Sequence, residues 1–246
     1  MTTNYDPIAE QYKRSKQQPW RTYIESHTLM GLVGDPRGIS VLDLACGEGY
    51  YTRLLRQRGA ARVTGVDLSP AMVELACKQE SMHQQGIEYL VADARHLPNI
   101  QPCDLVCAAY LLNYARDEEE LQAMVDGIAR ALKPGGRFVT VNSSATLHFP
   151  SAPSYRKYGF ETRTQGEWGE RAPIRWVFHL EDSIFELENY YLSQGVHEEA
   201  FRRAGFRTVH WHPPQVSAQA PANYDAAYWA DFLGHSPVSF IECVKG

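Results

Sequence analysis

The chain has 246 residues, 44% of them hydrophobic, with 29 acidic against 24 basic side chains and a formal net charge of −5. That length suits one α/β domain, or one domain carrying an insertion, and the acidic balance argues against a polyanion such as a nucleic acid as partner. No run approaches the roughly 18 uninterrupted apolar residues of a membrane span, and the opening "MTTNYDPIAEQYKRSKQQPW" lacks the apolar core of a secretory leader, so no membrane and a cytoplasmic location are expected.

Taken in chain order, Tyr5 to about Leu32 has helical spacing through Ile8, Tyr12, Tyr23, Ile24 and Leu29, with a break near Pro19. The short basic cluster Lys13, Arg14 and Lys16 reads as a solvated helix face. "ISVLDLA" (39–45) is an apolar β-rich run, followed by the helical "YYTRLLRQRG" that ends on Gly59. "ARVTGVDL" (61–68) is a second strand. Ser69-Pro70 then supplies an N-cap and a first-turn proline for "AMVELACKQESM". "IEYLVADA" (87–94) and "CDLVCAAY" (103–110) are the third and fourth strands, with Cys103 and Cys107 on one parity. Asp117 opens the helix "EEELQAMVDGIARAL", and the glycine turn of "KPGGRFVTVNSS" feeds a fifth strand. Strands alternating with helices predict βαβ units and a doubly wound, mostly parallel Rossmann-like sheet.

After Ser144 aromatics become frequent. "IRWVFHL" and "SIFELENYYL" predict an antiparallel pair joined around Glu181-Asp182, and "HEEAFRRAG", "FRTVHWH" and "PVSFIECVK" return to a helix and two last strands. The expected organisation is one domain, 1–246: lid helices over 1–38, a core over 39–144, an aromatic-rich cap inserted after strand five over 145–193, and a C-terminal helix with the last strands over 194–246. Cys46, Cys77, Cys103, Cys107 and Cys243 form no C-x-x-C pair and read as reduced thiols. His210 and His212 are the closest histidines, too few for a site, so no metal is expected.

The stretch "VLDLACGEGYYTRLL" carries the first functional signal. In an open α/β sheet a ligand sits beyond the carboxyl ends of the strands, where Gly47 and Gly49 let backbone approach it. Asp67 ends the second strand 18 positions after Gly49, close to the offset at which a carboxylate grips ribose hydroxyls. A dinucleotide site wants a third glycine where Thr52 stands, and a pyrophosphate would meet Glu48. The loop therefore suits a nucleoside that brings no phosphate and carries positive charge, as S-adenosylmethionine (SAM) does. An NAD(P)-dependent reductase is the rival reading, but its Tyr12-x-x-x-Lys16 spacing falls before the first strand, where it could not meet a nicotinamide.

"VLDLACGEG", "VTGVDLS", "LVADARHLP", "CDLVCAAYLLNY" and "LKPGGRFV", in that order, resemble the motifs of the class I SAM-dependent methyltransferases over about 39–141. The resemblance implies SAM as cofactor and S-adenosylhomocysteine (SAH) as product. It implies that Asp43 and the backbone of Ala45, Gly47 and Gly49 hold the methionine part. Asp67 would take both ribose hydroxyls and Leu68 would flank the adenine. Asp93 would accept from the adenine amino group beside the Ala94 amide, and Ala109 and Tyr110 would line the cofactor near the sulfur. "YDPIAEQY" resembles the opening helix of small-molecule methyltransferases, where Tyr12 would reach the SAM carboxylate and Arg21 would pair with it. With "YDPIAEQYKRSKQQPWR", "LDLACGEGYYTR", "AAYLLNYA" and "ENYYL", nearly the whole chain resembles the toxoflavin-forming N-methyltransferases, which act on azapteridine (pyrimidotriazine) rings.

Transfer from a sulfonium is an in-line displacement in which much of the catalysis can be positioning, so no catalytic base is assigned. His148 and His179 are bases only by residue type. A flat heterocycle is held by aromatic faces and amide-type groups. Tyr110, Asn113 and Asn142 are the positioning candidates, with Tyr114, Trp20, Trp176 and Tyr191 as further acceptor-side walls. Tyr155 and Tyr190 share that cap, and half or more of its aromatics read as the cap's own core. The expected partner is a small heterocycle, bound by a monomer or homodimer. O-methylation of a small phenol and a non-catalytic SAM-binding protein are the alternatives.

Overall fold

The near-continuous apolar runs become strands covered on both sides. The computed structural model describes residues 9–246, so Tyr5 to Ile8 of the opening motif lie outside the described residues. Strands β1 (Ser40–Leu44), β2 (Arg62–Asp67), β3 (Glu88–Val91), β4 (Cys103–Ala109) and β5 (Leu132–Ser143) run parallel. With β9 (Phe206–His212) and β10 (Val238–Lys245) they form a seven-stranded sheet in the order β3-β2-β1-β4-β5-β10-β9, with β10 antiparallel to both neighbours. The order reverses between β1 and β4, which opens a crevice beyond their carboxyl ends.

The two-residue period splits the core. Val41, Leu105, Cys107, Val139 and Val141 face one side with Tyr51, Leu55 and the lid. Leu42, Leu44, Val106, Ala108 and Phe138 face the other, against α5 (Glu118–Ala131) and α6 (Gln194–Arg203). Cys103 departs from its expected parity with Cys107. The β4–β5 register shifts between Cys103 and Leu105, and Cys103 packs with the Val106 face. Helix α3 (Tyr50–Gln57) follows β1, and α4 (Pro70–Met82) starts at Ser69, whose hydroxyl accepts from Met72 N. Asp117 caps α5 by accepting from Glu120 N at 2.9 Å.

One glycine sets a distance that the site needs. Gly127, in the middle of α5, would drive a Cβ well inside van der Waals contact with the Ala94 carbonyl, so α5 lies directly on the turn Ala94–His96. Gly127→Ala is expected to cost about 1–3 kcal/mol of overpacking, offset by about 1 kcal/mol of helix propensity. The checks are a lowered urea midpoint and weaker SAH binding; a variant unchanged in both would contradict this packing.

Helix α1 (Ala9–Ser15) is followed, across Pro19, by a π-wound segment (Arg21–Ser26) that runs into α2 (His27–Val33). The cap is a three-stranded antiparallel sheet, β6 (Phe160–Thr164), β7 (Pro173–His179) and β8 (Ile184–Tyr190). The β7–β8 pair was expected, and β6 is an addition. Helix α7 (Ala226–Gly234) was not anticipated either; its Trp229 and Phe232 pack on Tyr158, and Phe232 also on Trp20. The lid is tied to the cap by Arg14–Asp182 at 2.8 Å and by Gln18 Nε2 donating to the Gly159 carbonyl at 2.8 Å. Lys16 corrects the expectation of a solvated basic face. Its side chain is largely covered, over the rings of Tyr12, Tyr50 and Tyr51, and lies 3.5 Å from the Glu48 carboxylate.

Candidate active site

Beyond the ends of β1, β2 and β4 lies a cavity of about 280 Å³. Leu44, Val66, Met72 and Met124 give it apolar walls, and Ala45, Gly47, Asp67, Leu68, Asp93, Ala94, Ala109, Tyr110, Tyr114 and Tyr12 line it too. Local chain geometry explains several of these placements. Gly47 turns with φ +56°, and the non-glycine residues Ala45 (φ 54°) and Tyr110 (φ 64°) adopt the same left-handed region at the ends of β1 and β4. Such backbone persists only where its surroundings hold it. For Tyr110 that hold includes its N–H donating to the Val141 carbonyl at 2.8 Å.

Asp67 reaches across the loop. One carboxylate oxygen accepts from Gly47 N at 2.7 Å and the other from Ser69 N at 2.9 Å. Burial raises its pKa against the pull of these amides. Asp93 accepts from Arg95 N at 2.9 Å and pairs with the Arg95 guanidinium at 2.6 Å, and Arg95 also meets Glu120 at 3.1 Å. Burial alone would raise the Asp93 pKa; the Arg95 contacts outweigh it and hold the group lowered.

Glu48 does not face the cavity. Its carboxylate is paired with Arg53 at 2.6 Å and Lys16 at 3.5 Å. Burial opposes its charge, yet these cations leave its pKa lowered. The expectation of a phosphate-free, cationic ligand thus stands on other groups. Asp67, Asp93 and Glu120 line the cavity against one cation, Arg95, which is already paired with two of them. Among the described residues no lining cation is left over for a phosphate. A strand-end carboxylate beside an apolar slot, with a glycine backbone along its floor, fits an adenosine bearing a positive charge.

Asp43 and Gly49 lie behind this surface. Asp43 is buried and accepts from the Thr52 hydroxyl at 2.6 Å. A Cβ on Gly49 would strike the Tyr89 hydroxyl and Arg53. Burial pushes the Asp43 carboxyl up to about 7, with the Thr52 bond opposing the rise. Between about pH 4 and 7 the folded protein then holds more protons than the unfolded chain, so stability falls as pH rises through that window. Wild type is expected to lose about 2 kcal/mol through this group between about pH 5 and 8, and Asp43→Asn to be spared it. Parallel stability–pH curves for the two proteins in urea melts would contradict that.

A second, small cavity of about 10 Å³ adjoins the first. Tyr12, Tyr110 and Tyr114 line both, and Trp20, Arg21, Trp176, Phe178, Leu187 and Asn189 complete the second. Arg21, expected at the cofactor carboxylate, lines this second cavity and not the first. Its guanidinium donates to Glu25 at 2.9 Å, and Glu25 also accepts from the hydroxyls of Tyr51 at 2.8 Å and Tyr110 at 2.6 Å. Burial would lower the Arg21 pKa, but Glu25 beside it, helped by Tyr110, Tyr12 and Tyr51, raises it instead, so the group stays charged. Burial and Glu25 together raise the Tyr110 and Tyr51 hydroxyls well above their usual range. Glu25 and Tyr51 had no sequence signal beyond helical spacing, and Lys16 stood out only as part of a short basic cluster and of the Tyr12-x-x-x-Lys16 spacing. The π-winding that presents Arg21 and Glu25 inward is of a kind frequent at functional sites.

Asn113 and Asn142 line neither cavity. Asn142 is spent on the turn after β4, accepting from Leu112 N at 2.9 Å and donating to Thr140 Oγ1 at 2.9 Å. Asn113 is buried beside it, and its amide has no partner among the described residues. Tyr191 donates to the Ala145 carbonyl and packs on Trp168, while the hydroxyls of Tyr155 and Tyr190 bond His235 O and Glu188. His148 bonds Ser151, His179 lies 3.4 Å from Glu161, and neither lines a cavity. Buried donors without partners cost about 1–3 kcal/mol each; Arg21 Nε and Trp176 Nε1, on two residues that line the second cavity, are two such atoms.

A family model described as a methyltransferase domain matches residues 41–136. The chain is similar to the ubiquinone/menaquinone biosynthesis C-methyltransferase UbiE of Desulfotalea psychrophila, 31% identical over 212 residues that cover 84% of this chain and 79% of that protein. It is also similar to the demethylmenaquinone methyltransferase of Lactococcus lactis, 30% identical over 223 residues, 86% of this chain and 81% of the relative. Among solved structures it is similar to the PH0226 protein from Pyrococcus horikoshii, with a TM-score of 0.65 and 19% identity over the full length of both chains. An S-adenosylmethionine-dependent methyltransferase from Mesorhizobium loti gives a TM-score of 0.63 at 20% identity, covering 94% of this chain and 100% of that one. At such identities the structural likeness speaks for the fold. The relatives that match most of the chain say more, and with them the acidic, glycine-floored crevice finds its explanation: the chain belongs to the class I SAM-dependent methyltransferases, with S-adenosylmethionine as its cofactor.

Proposed function

We propose that this methyltransferase methylates a ring nitrogen of a small planar heterocycle, a toxoflavin-like azapteridine. The observation that carries this reading is the second cavity. It is lined by Trp20, Trp176 and Phe178 and shares Tyr12, Tyr110 and Tyr114 with the cofactor cleft, so a ring would rest at the junction of the two cavities, beside these aromatics, with only a substituent entering the smaller one. The near full-length resemblance of the sequence to toxoflavin-forming enzymes supports it.

SAM supplies an electrophilic methyl group on its sulfonium. In our reading Asp67 grips the ribose hydroxyls, Leu68 and Asp93 address the adenine, and the backbone of Ala45 and Gly47 follows the methionine part. Asp43 and Gly49 support that loop from behind. Lys16 takes the place expected for Arg21 at the cofactor carboxylate: its Nζ lies 3.8 Å from the position a Cβ would have on Gly47, and burial notwithstanding, Tyr12 and Glu48 keep its pKa raised. Tyr110, fixed by Glu25, orients the acceptor, while Trp20, Trp176 and Phe178 exclude water.

The quinone relatives favour a second reading, transfer to carbon or oxygen of a quinol-like ring. Turnover of labelled SAM against demethylated azapteridines, pteridines, catechols, quinols and amines separates the two. The azapteridines are expected to turn over fastest; activity confined to quinols and phenols would reverse the assignment.

A further inference from the structure

Two residues that carry buried, unpartnered N–H donors line the same small cavity. Arg21 and Trp176 are 3% and 2% exposed and both line the second cavity. Neither the Arg21 Nε–H nor the Trp176 Nε1–H has a hydrogen-bond partner among the described residues. Buried donors are almost always paired, so two on residues that line one cavity mark a place for an acceptor atom. Neither group is free to turn away. The Trp176 ring is stacked with Phe160 at 5.1 Å and Phe178 at 6.1 Å. The guanidinium is held by Glu25 and by the faces of Trp20 at 4.7 Å and Phe178 at 5.3 Å.

Size narrows what can sit there. About 10 Å³ admits one oxygen-sized group and no ring. Tyr110 and Tyr114 border both cavities, so a ring resting on them at the edge of the cofactor cleft could extend an exocyclic oxygen into the small one. Charge narrows it further. Arg21 and Glu25 cancel, and a guanidinium with an unused N–H favours an oxygen that carries negative charge.

We propose that the acceptor bears a ring oxo or oxyanion oxygen, and that Arg21 and Trp176 bind this oxygen through their Nε–H and Nε1–H. This rests on the methyl-transfer reading above. The acceptor would enter as its imidate or enolate anion, its ring proton already lost to bulk water. The two donors hold the charge on the oxygen side, and the neighbouring ring atom gives its electron pair to the methyl carbon as the carbon–sulfur bond breaks and SAH leaves neutral.

The test compares binding of quinazoline-2,4-dione and quinazoline, one ring system with and without carbonyls, to SAH-saturated protein by calorimetry. Wild type is expected to bind the dione at least about tenfold more tightly. In Trp176→Phe, which keeps the ring and removes the donor, this preference should shrink to about threefold or less while SAH affinity holds. Arg21→Lys should lose the preference as well. A dione that binds no better than quinazoline, or a preference that Trp176→Phe retains, would overturn the proposal and leave the cavity to an ordered water only. Failure of the methyl-transfer reading would show separately, as labelled SAM that passes its methyl group to none of the rings tried.

Discussion

Replacing Glu25 with alanine is expected to destabilise the protein by about 4 kcal/mol, within the range for breaking a buried ion pair from one side. The carboxylate is 2% exposed and serves three donors at once: Arg21, Tyr51 and Tyr110. Without it a guanidinium already short of one partner is left as an unpaired buried charge, and two phenolic hydroxyls lose their acceptor. For a chain of this length the melting temperature should fall by roughly 10 °C. Combining Glu25→Ala with Arg21→Met removes the stranded charge and should recover much of the loss, because the penalty lies in the uncompensated cation more than in the missing bond. A single variant that melts within about 3 °C of wild type, or a double variant no better than the single, would show that the cluster does not hold the lid to the core.

The parts of this molecule that were legible in the sequence are those fixed by neighbours in the chain. Strand period, the Ser69-Pro70 and Asp117 caps and the glycine turn after β1 are local chemistry, and they placed β1 to β5, α4 and α5 within a few residues. Asp67 and Asp93 were legible for the same reason, since a carboxylate that ends a strand in an open α/β sheet has little choice but to face the crevice. What stayed hidden depends on partners far along the chain. Glu25 meets Tyr110 across 85 positions and Tyr51 across 26, and nothing in helical spacing distinguishes such a carboxylate from a solvated one. Lys16 looked like one of three surface cations until Glu48 was seen to turn back toward it and Arg53. The amide of Asn142 seemed free for an acceptor, yet the backbone turn after β4 claims it. Helix α7 escaped notice because "AAYWADFLG" is read less by its spacing than by the aromatic nest of Trp20, Tyr158 and Phe160 that receives Phe232.

Asp67→Ala is expected to weaken SAH binding by about 3 kcal/mol, a hundredfold or more in dissociation constant, with a smaller effect on stability. The argument starts from what the carboxylate does without ligand. Its oxygens accept from Gly47 N and Ser69 N, joining the glycine loop after β1 to the start of α4 across the mouth of the cleft. Each oxygen keeps acceptor capacity for a ligand hydroxyl. Two charge-assisted bonds to such hydroxyls contribute about 1.5–3 kcal/mol apiece, and removing the carboxylate also releases Gly47 from its position. Stability should change less, because burial already works against this charge and raises its pKa; deleting it relieves that cost while two loop amides turn to water. Asp67→Asn is the sharper probe. It keeps one acceptor oxygen for the loop and loses the charge, so its affinity for SAH should fall between wild type and alanine. Calorimetric titration of SAH into all three proteins reads the order directly. Equal dissociation constants would remove Asp67 from the cofactor site and leave it a brace between β1 and α4.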